Sequence, residues 1–135
     1  MVNFNNVSEY SKSSPLKGGG EKIIGGPLYD LAKVKLIAKV GSGLVLWTRD
    51  CQLNVRELGW DPDDVAVLVA RLTAANYIDS EWCANGKSAW AACDAYSVGV
   101  LEWVPTARKE LRIEYFVKFA INKLGSLVLM VSCHT

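Results

Sequence analysis

The sequence predicts an α+β domain in which N-terminal helices pack on a twisted antiparallel sheet. Apolar residues recur at helical spacing in the first half of the chain, and strand-like alternation dominates the second half. The helical and strand-like segments do not alternate with one another, which favours segregated helices over a βαβ arrangement. With 135 residues, the chain is long enough for one domain with a hydrophobic core.

The N-terminal segment, residues 1–26, is predicted to be a flexible tail that precedes a folded domain of residues 27–135. It is rich in Asn, Ser, Gly and Lys and contains the run Gly18-Gly19-Gly20. Such a composition buries little apolar surface, so it contributes little to a core. We place the start of the domain at Pro27.

The first predicted helix covers residues 28–40, where apolar side chains follow helical spacing and lysines occupy the other side. Gly41-Ser42-Gly43 is predicted to end it. Residues 44–47 form a short apolar connector with strand-like composition.

Two further helices have clear start and stop signals. Thr48 is a candidate N-cap for a helix that ends at Gly59. Asp61 caps the next helix, and Pro62 occupies its first position. We interpret both helices as a structural scaffold for the sheet.

After Asn76 the sequence pattern changes from one typical of helices to one typical of strands. Residues 77–82 form a predicted strand, 84–87 an Asn-Gly turn, and 88–96 the return strand. Residues 97–104 are a further apolar, β-favouring run, and residues 105–110 are a charged loop. These segments predict an antiparallel sheet that follows the helices.

The last segment predicts a hairpin with strands at 112–121 and 127–134. Its first strand alternates, with Ile113 and Tyr115 on one face and Phe116 and Lys118 on the other. If even-numbered residues pair with even-numbered ones, His134 shares the face of Phe116. If the turn holds an even number of residues, His134 shares the face of Ile113, because a one-residue slip reverses every side chain.

Composition argues against several classes of protein. The net charge of +1 lacks the large positive excess that is typical of nucleic-acid-binding proteins. The apolar runs are shorter than the ~18 residues of a membrane span, and no basic segment followed by an apolar one begins the chain, so we expect a cytoplasmic protein without a membrane partner. The four cysteines lack zinc spacing and are expected to be reduced thiols, with no metal and no small-molecule cofactor.

Several stretches occur in the order and spacing of a known family. The matching stretches are Pro27-Leu28-Tyr29-Asp30-Leu31, Glu57-Leu58-Gly59, Tyr77-Ile78-Asp79-Ser80, Trp90, Asp94-Ala95-Tyr96, Tyr115-Phe116-Val117-Lys118-Phe119, and the end from Leu129 to His134. Together they resemble the MqsR family, toxins of bacterial type II toxin–antitoxin pairs with a RelE-like ribonuclease fold. The resemblance covers about four fifths of the chain, with an insertion between Val98 and Leu111.

The resemblance implies a metal-independent, sequence-preferring endoribonuclease that cleaves mRNA through its own 2′-hydroxyl and is neutralised by a cognate protein antitoxin. Such cleavage requires a base, an acid and cations for the phosphate. The family uses a lysine, a glutamine, a tyrosine and a second lysine. Those positions fall here on Asp79, on Ala91 or Cys93, on Phe116, and on His134.

One interpretation is a ribonuclease with an altered catalytic set. Histidine titrates near neutral pH, so His134 takes the role of the second lysine in this interpretation. The remaining candidates are polar or aromatic residues that could assist: Tyr115, Lys87 and Tyr96 in catalysis, Arg112 and Lys118 in phosphate binding, and Trp82 in base stacking.

Two other interpretations remain open. The chain could be a catalytically degenerate module that binds an antitoxin or another protein, because the lost tyrosine hydroxyl and lysine charges would weaken transition-state stabilisation. It could also be a cysteine enzyme if the fold brings Cys93 and His134 together. Solvent exposure of Cys93 distinguishes the last case, since a reactive thiolate must be reachable.

Overall fold

The computed structural model describes residues 5–13, 21–40, 43–87 and 89–134. These residues form an α+β fold with three α-helices and a mixed sheet of six strands. The helices are α1 (Leu31–Val40), α2 (Arg49–Leu58) and α3 (Pro62–Arg71). The strands are β1 (Asn5–Asn6), β2 (Leu44–Leu46), β3 (Tyr77–Ala84), β4 (Ala89–Val104), β5 (Lys109–Ile121) and β6 (Leu127–His134).

The sheet has the order β1-β4-β5-β6-β2, and β3 also pairs with β4. Strands β3 to β6 pair antiparallel, as the sequence predicts. However, β1 is parallel to β4 and β2 is parallel to β6, so the sheet is mixed rather than antiparallel throughout. The helices are also not simply N-terminal, because β1 precedes α1 and β2 separates α1 from α2.

The helix boundaries follow the predicted capping chemistry. The Thr48 side chain accepts a hydrogen bond from the Cys51 N–H at 3.1 Å, and Gly59 ends α2 in the left-handed conformation, with φ of 71°. Asp61 and Asp64 form a reciprocal capping box at the start of α3. No helix among the described residues has the length and apolar composition to cross a membrane.

The described parts of the N-terminal segment pair with the sheet, where the sequence predicted a flexible tail. Strand β1 pairs with Ala89 and Trp90, and the buried Ser8 hydroxyl accepts the Ala92 N–H at 3.1 Å. Farther along, the Ile23 N–H donates to the Ser80 carbonyl at 2.8 Å. Main-chain pairing needs no apolar side chains, so composition did not reveal it; residues 1–4 and 14–20 lie outside the described residues.

The predicted strands 88–96 and 97–104 form one continuous strand, β4. The predicted loop of residues 105–110 is a shorter turn of residues 105–108, and Lys109 already begins β5. The two predicted segments form one strand because β5 pairs with β4 without a break from Asp94 to Val104. The helix stop at residues 41–42 and the strand start at Ser88 lie outside the described residues.

The β5–β6 hairpin pairs even-numbered residues with even-numbered ones. Ile121 pairs with Leu127 across a turn of residues 122–126, where the Asn122 side chain accepts the N–H groups of Leu124 and Ser126. Consequently Phe116 pairs with Ser132. His134 pairs with Glu114, so its backbone position is the one that shares a face with Phe116.

We expect deletion of residues 1–26 to lower the melting temperature, because it removes β1 and the contacts of Ser8. The sharper test is Ser8→Ala, which leaves the buried Ala92 N–H without its acceptor. The expected loss is about 1–3 kcal/mol in the free energy of unfolding, measured by urea titration. Ser11→Ala is the matched control, since Ser11 is exposed. Equal stability of the two variants would show that the segment does not hold the sheet.

Candidate functional site

The two faces of the central sheet have different surroundings. Helix α3 packs beside Val100, Glu102 and Tyr115, which define the helix-covered face. Side chains that alternate with these define what we call the open face. On β4 and β5 the open face carries Ala95, Ser97, Gly99, Leu101 and Trp103, and Glu110, Arg112, Glu114, Phe116 and Lys118.

The register places the four positions singled out by the family resemblance on this open face. Asp79 pairs with Ala95, which pairs with Lys118. Phe116 and Ser132 form the next pair of that face, and Glu114 and His134 the one after it. Cys93 lies two residues from Ala95 along β4 and therefore belongs to the same face.

A cluster of four charged groups lies at one end of the open face. Lys22 Nζ lies 2.8 Å from Asp79 Oδ2 and 3.0 Å from Glu81 Oε2. Lys118 Nζ donates to the other oxygen of Glu81. Lys22 and Glu81 carry no local signal in the sequence, because 59 residues separate them and only the fold brings them together.

The ion pairs favour the charged forms of Glu81 and Lys118. Burial by itself would raise the pKa of Glu81, but hydrogen bonds from Lys118 and Lys22 lower it below its usual range. Burial likewise opposes the charge of Lys118, but the hydrogen bond to Glu81 and the charges of Cys83 and Glu81 together outweigh burial and raise the pKa of Lys118. Lys118 is therefore a protonated ammonium group that is already ion-paired with Glu81 when no ligand is bound.

A groove of about 350 Å³ opens beside Lys118, between α2 and the open face. Its floor includes Phe116, Lys118 and Met130, and α2 contributes Asp50 and Asn54 to its wall. The helix is held at the strand edge, since the Asn54 amide donates to the Val131 carbonyl at 3.0 Å. The groove combines an aromatic ring, an ammonium, a side-chain amide and the Asp50 carboxylate, so it offers a flat apolar contact beside groups of both charges.

Arg112 occupies the opposite end of the open face. Its guanidinium lies over Gly99, where any side chain would clash with it. Arg112 Nε lies 3.6 Å from a carboxylate oxygen of Glu114, and its side chain remains exposed. Arg112 and Lys118, the two predicted phosphate-binding residues, therefore share a face but lie six residues apart along β5, about 20 Å.

The other predicted site residues are not brought together with Phe116. Tyr115 is buried on the helix-covered face, and its hydroxyl donates to both carboxylate oxygens of Glu102 at 2.9 Å. Tyr96 is also buried there, with its ring stacked on Phe119 at 5.3 Å. The sheet separates both hydroxyls from the open face, because neighbouring residues of a strand point to opposite sides.

Trp82 and Lys87 also lie away from Phe116. Trp82 is buried, and its ring packs edge-on against Tyr10 at 6.0 Å, so it offers no face for a base. Lys87 is exposed in the turn between β3 and β4. Neither residue is positioned to act with Lys118 in a single site.

The structure also keeps Cys93 and His134 apart. Asp94, the neighbour of Cys93, is at the same level of the sheet as Phe119 and Leu129, because these residues pair across β4, β5 and β6. His134 lies five residues beyond Leu129 on β6, so it is about 17 Å farther along the strand direction. Cys93 is fully buried, and the hydrogen bond with Cys83 together with burial raises the pKa of its thiol. A buried neutral thiol without a nearby imidazole lacks the requirements of a nucleophile.

Comparison with models of known protein families gave no match, and comparison with curated protein sequences also gave none. Within the described residues, no group of three or more His, Cys, Asp and Glu side chains is arranged to hold a metal ion.

We expect Glu81→Gln to destabilise the protein at pH 7, because it leaves the half-buried Lys118 ammonium without its counter-ion. The expected loss is about 1–2 kcal/mol, reduced by the partial exposure of Lys118 to solvent. The folded-state pKa of Glu81 is lowered, so its contribution is present at neutral pH and is lost as the pH falls through that pKa. The difference between wild type and variant should shrink in urea titrations at pH 3. Exposed Glu57→Gln is the control, and an equal loss at both pH values would contradict the ion-pair account.

We expect brief treatment of the native protein with iodoacetamide to modify Cys83 and Cys133 before Cys51 and Cys93. The first two thiols are partly exposed, whereas the other two are buried. The hydrogen bond from Cys93 also lowers the pKa of Cys83, which increases its thiolate fraction. Peptide mass spectrometry would resolve the order, and early labelling of Cys93 would restore it as a candidate nucleophile.

Proposed function

We propose that this chain is an RNA-cleaving toxin of a toxin–antitoxin pair with an MqsR-like and RelE-like fold. In this proposal it cleaves mRNA through the RNA's own 2′-hydroxyl, needs no metal ion, and is neutralised by a cognate protein antitoxin. The supporting observation is the placement of Asp79, Cys93, Phe116 and His134 on one sheet face. A strand register that differed by one residue would have distributed these positions over both faces.

The chemistry of the open face assigns different roles from those of the family. Phe116 has no ionisable group and can only contact a base or ribose in the groove. Lys118 and Arg112 carry positive charges for RNA phosphates, and because they lie about 20 Å apart along β5 each would contact a different phosphate. His134 is the residue of this face whose ordinary pKa suits proton transfer near pH 7, so we assign the acid–base step to it.

A second candidate function is a module that keeps the fold and binds a protein without cleaving RNA. The charge pairing favours it, because Asp79, Glu81 and Glu114 lie against the cations of the described open face. Phosphate must displace these carboxylates or bind beside them, and like charges repel it. The two functions predict different fates for cellular RNA.

We expect expression without the antitoxin to arrest bacterial growth and to fragment mRNA. His134→Ala should lower the rate of cleavage by purified protein about 100-fold or more, since it removes the proposed acid–base group. The melting temperature should not change. Lys123→Ala is the control, because Lys123 is exposed in the adjacent turn.

Three outcomes separate the alternatives. Arrest with fragmented RNA supports the ribonuclease. Arrest with intact RNA contradicts it and indicates another toxic activity. Normal growth with folded protein favours the binding module, and full cleavage by His134→Ala would remove His134 from the site.

A further inference from the structure

One edge of β4 lacks a partner strand near the turn that leads to β5. The pairing of β3 with β4 ends at Tyr96, whereas β5 pairs with the other edge of β4 as far as Val104. Among the described strands, none therefore pairs with the β3 side of β4 beyond Tyr96. We call residues 99–103 of β4, on this side, the free edge.

The direction of the main-chain groups of β4 can be followed from its first residues. The Ala89 carbonyl accepts an N–H from the turn on the β3 side, whereas the Ala92 N–H donates to Ser8 on the opposite side. The N–H and C=O groups of a strand point alternately to its two sides, and the register with β5 has no break. Odd-numbered residues of β4 therefore direct these groups to the β3 side. On the free edge they are Gly99, Leu101 and Trp103.

The free edge lacks the prolines and outward-facing charges that usually prevent sheets from joining edge to edge. Leu101 is 69% exposed and Trp103 is 62% exposed, and both residue types are apolar. Glu102, between them, faces the helix-covered side. The edge of β5 beyond β6 differs, because its outward residues Glu110 and Arg112 are charged and exposed. One edge of this hairpin is therefore protected against pairing, and the other is open to it.

The free edge is complementary to a second copy of itself. A two-fold axis through Leu101 places this residue opposite its own copy. The same axis places Gly99 opposite Trp103 of the second copy, and Trp103 opposite Gly99 of the second copy. All of these residues direct their main-chain groups outward, so each pair can exchange both N–H···O=C bonds of an antiparallel ladder.

The axis through Leu101 also avoids contacts between like charges. It places Glu102 opposite Val100 of the second copy. An axis through Glu102 would instead bring two carboxylates together, and it would pair Gly99 with Pro105, which has no N–H to donate. The composition of the free edge therefore favours the register centred on Leu101.

The charged residues of the open face support the same register. The Arg112 guanidinium lies over Gly99, which is the position that faces Trp103 of the second copy. A tryptophan ring beside an arginine is a favourable cation–π contact. Gly99 pairs with Glu114 in its own chain, and Trp103 pairs with Glu110. Each guanidinium would therefore lie between its own Glu114 and Glu110 of the second copy, which adds charge complementarity across the axis.

We propose that the free edge joins two copies of this chain into a dimer with one continuous sheet and a two-fold axis at Leu101. The occupant is a second copy because the hydrogen-bonding groups, the apolar side chains and the charges all match under one symmetry operation. The proposal does not depend on RNA cleavage. One pair of short strands covers less than the ~800 Å² per partner of a standard interface, so the dimer is reversible, with a dissociation constant in the micromolar range.

The test is sedimentation velocity of the full chain over a concentration series through the micromolar range. We expect the wild type to change from monomer to dimer. Leu101→Lys and Leu101→Glu should each remain monomeric, because like charges would meet at the axis. An equimolar mixture of these two variants should form a heterodimer. Leu36→Lys is the matched control, since Leu36 is 64% exposed on α1, and it should dimerise like the wild type.

Hydrogen exchange of the wild type, followed by NMR, gives a second measurement that needs no variant. The amides of Gly99, Leu101 and Trp103 should exchange more slowly as the protein concentration rises. The Val100 amide points towards β5 and should show no such dependence.

The remaining outcomes overturn the proposal. Circular dichroism first establishes that each variant is folded. A dimer that persists in Leu101→Lys uses another surface, and a mixture that stays monomeric contradicts the axis at Leu101. A wild type that is monomeric throughout, with exchange independent of concentration, leaves the free edge without a second copy. If its amides become protected only when the protein encoded by the neighbouring gene is added, the occupant is a strand of that protein instead.

Discussion

The buried carboxylate of Asp94 is the interaction on which the arrangement of the chain depends. It accepts hydrogen bonds from the backbone N–H groups of Leu28, at 2.9 and 3.0 Å, and Tyr29, at 3.0 Å, and from the Ser80 hydroxyl at 2.6 Å. Burial raises the pKa of Asp94, while these donors oppose that rise. One side chain of β4 therefore joins β3 to the segment that enters α1.

Once the helices cover one face, strand alternation assigns every side chain of β4 and β5. Tyr96, Val117 and Phe119 fill the core, whereas Phe116 and Lys118 face the groove. The core and the candidate site are thus built from alternate residues of the same two strands. A substitution of the groove-facing Lys118 leaves the apolar packing of Tyr96, Val117 and Phe119 in place, so the chemistry of the groove can change without removing these core contacts.

Charged groups on the open face are paired both near Lys118 and near Arg112. Lys22 and Lys118 lie against Asp79 and Glu81, and their hydrogen bonds lower the pKa of Glu81. Arg112 has a longer contact with Glu114 and a more exposed side chain. Glu110 and Glu114 flank Arg112 on the same face of β5, so this end of the open face carries no excess of positive charge from β5.

Local signals in the sequence determined the α+β class, the helix caps at Thr48 and Asp61, the stop at Gly59, and the division of β5 into two faces. Each depends on residues a few positions apart, whose spacing reflects backbone geometry directly. Only the tertiary structure decided the rest. The pairing of the N-terminal segment uses main-chain groups that every residue carries, so its composition held no signal. The five-residue turn fixed which of two registers His134 adopts. Tyr96 and Tyr115 are buried because their positions lie on the face that the helices cover. The cluster of Lys22 with Glu81 and Lys118 required contacts between residues far apart in the chain.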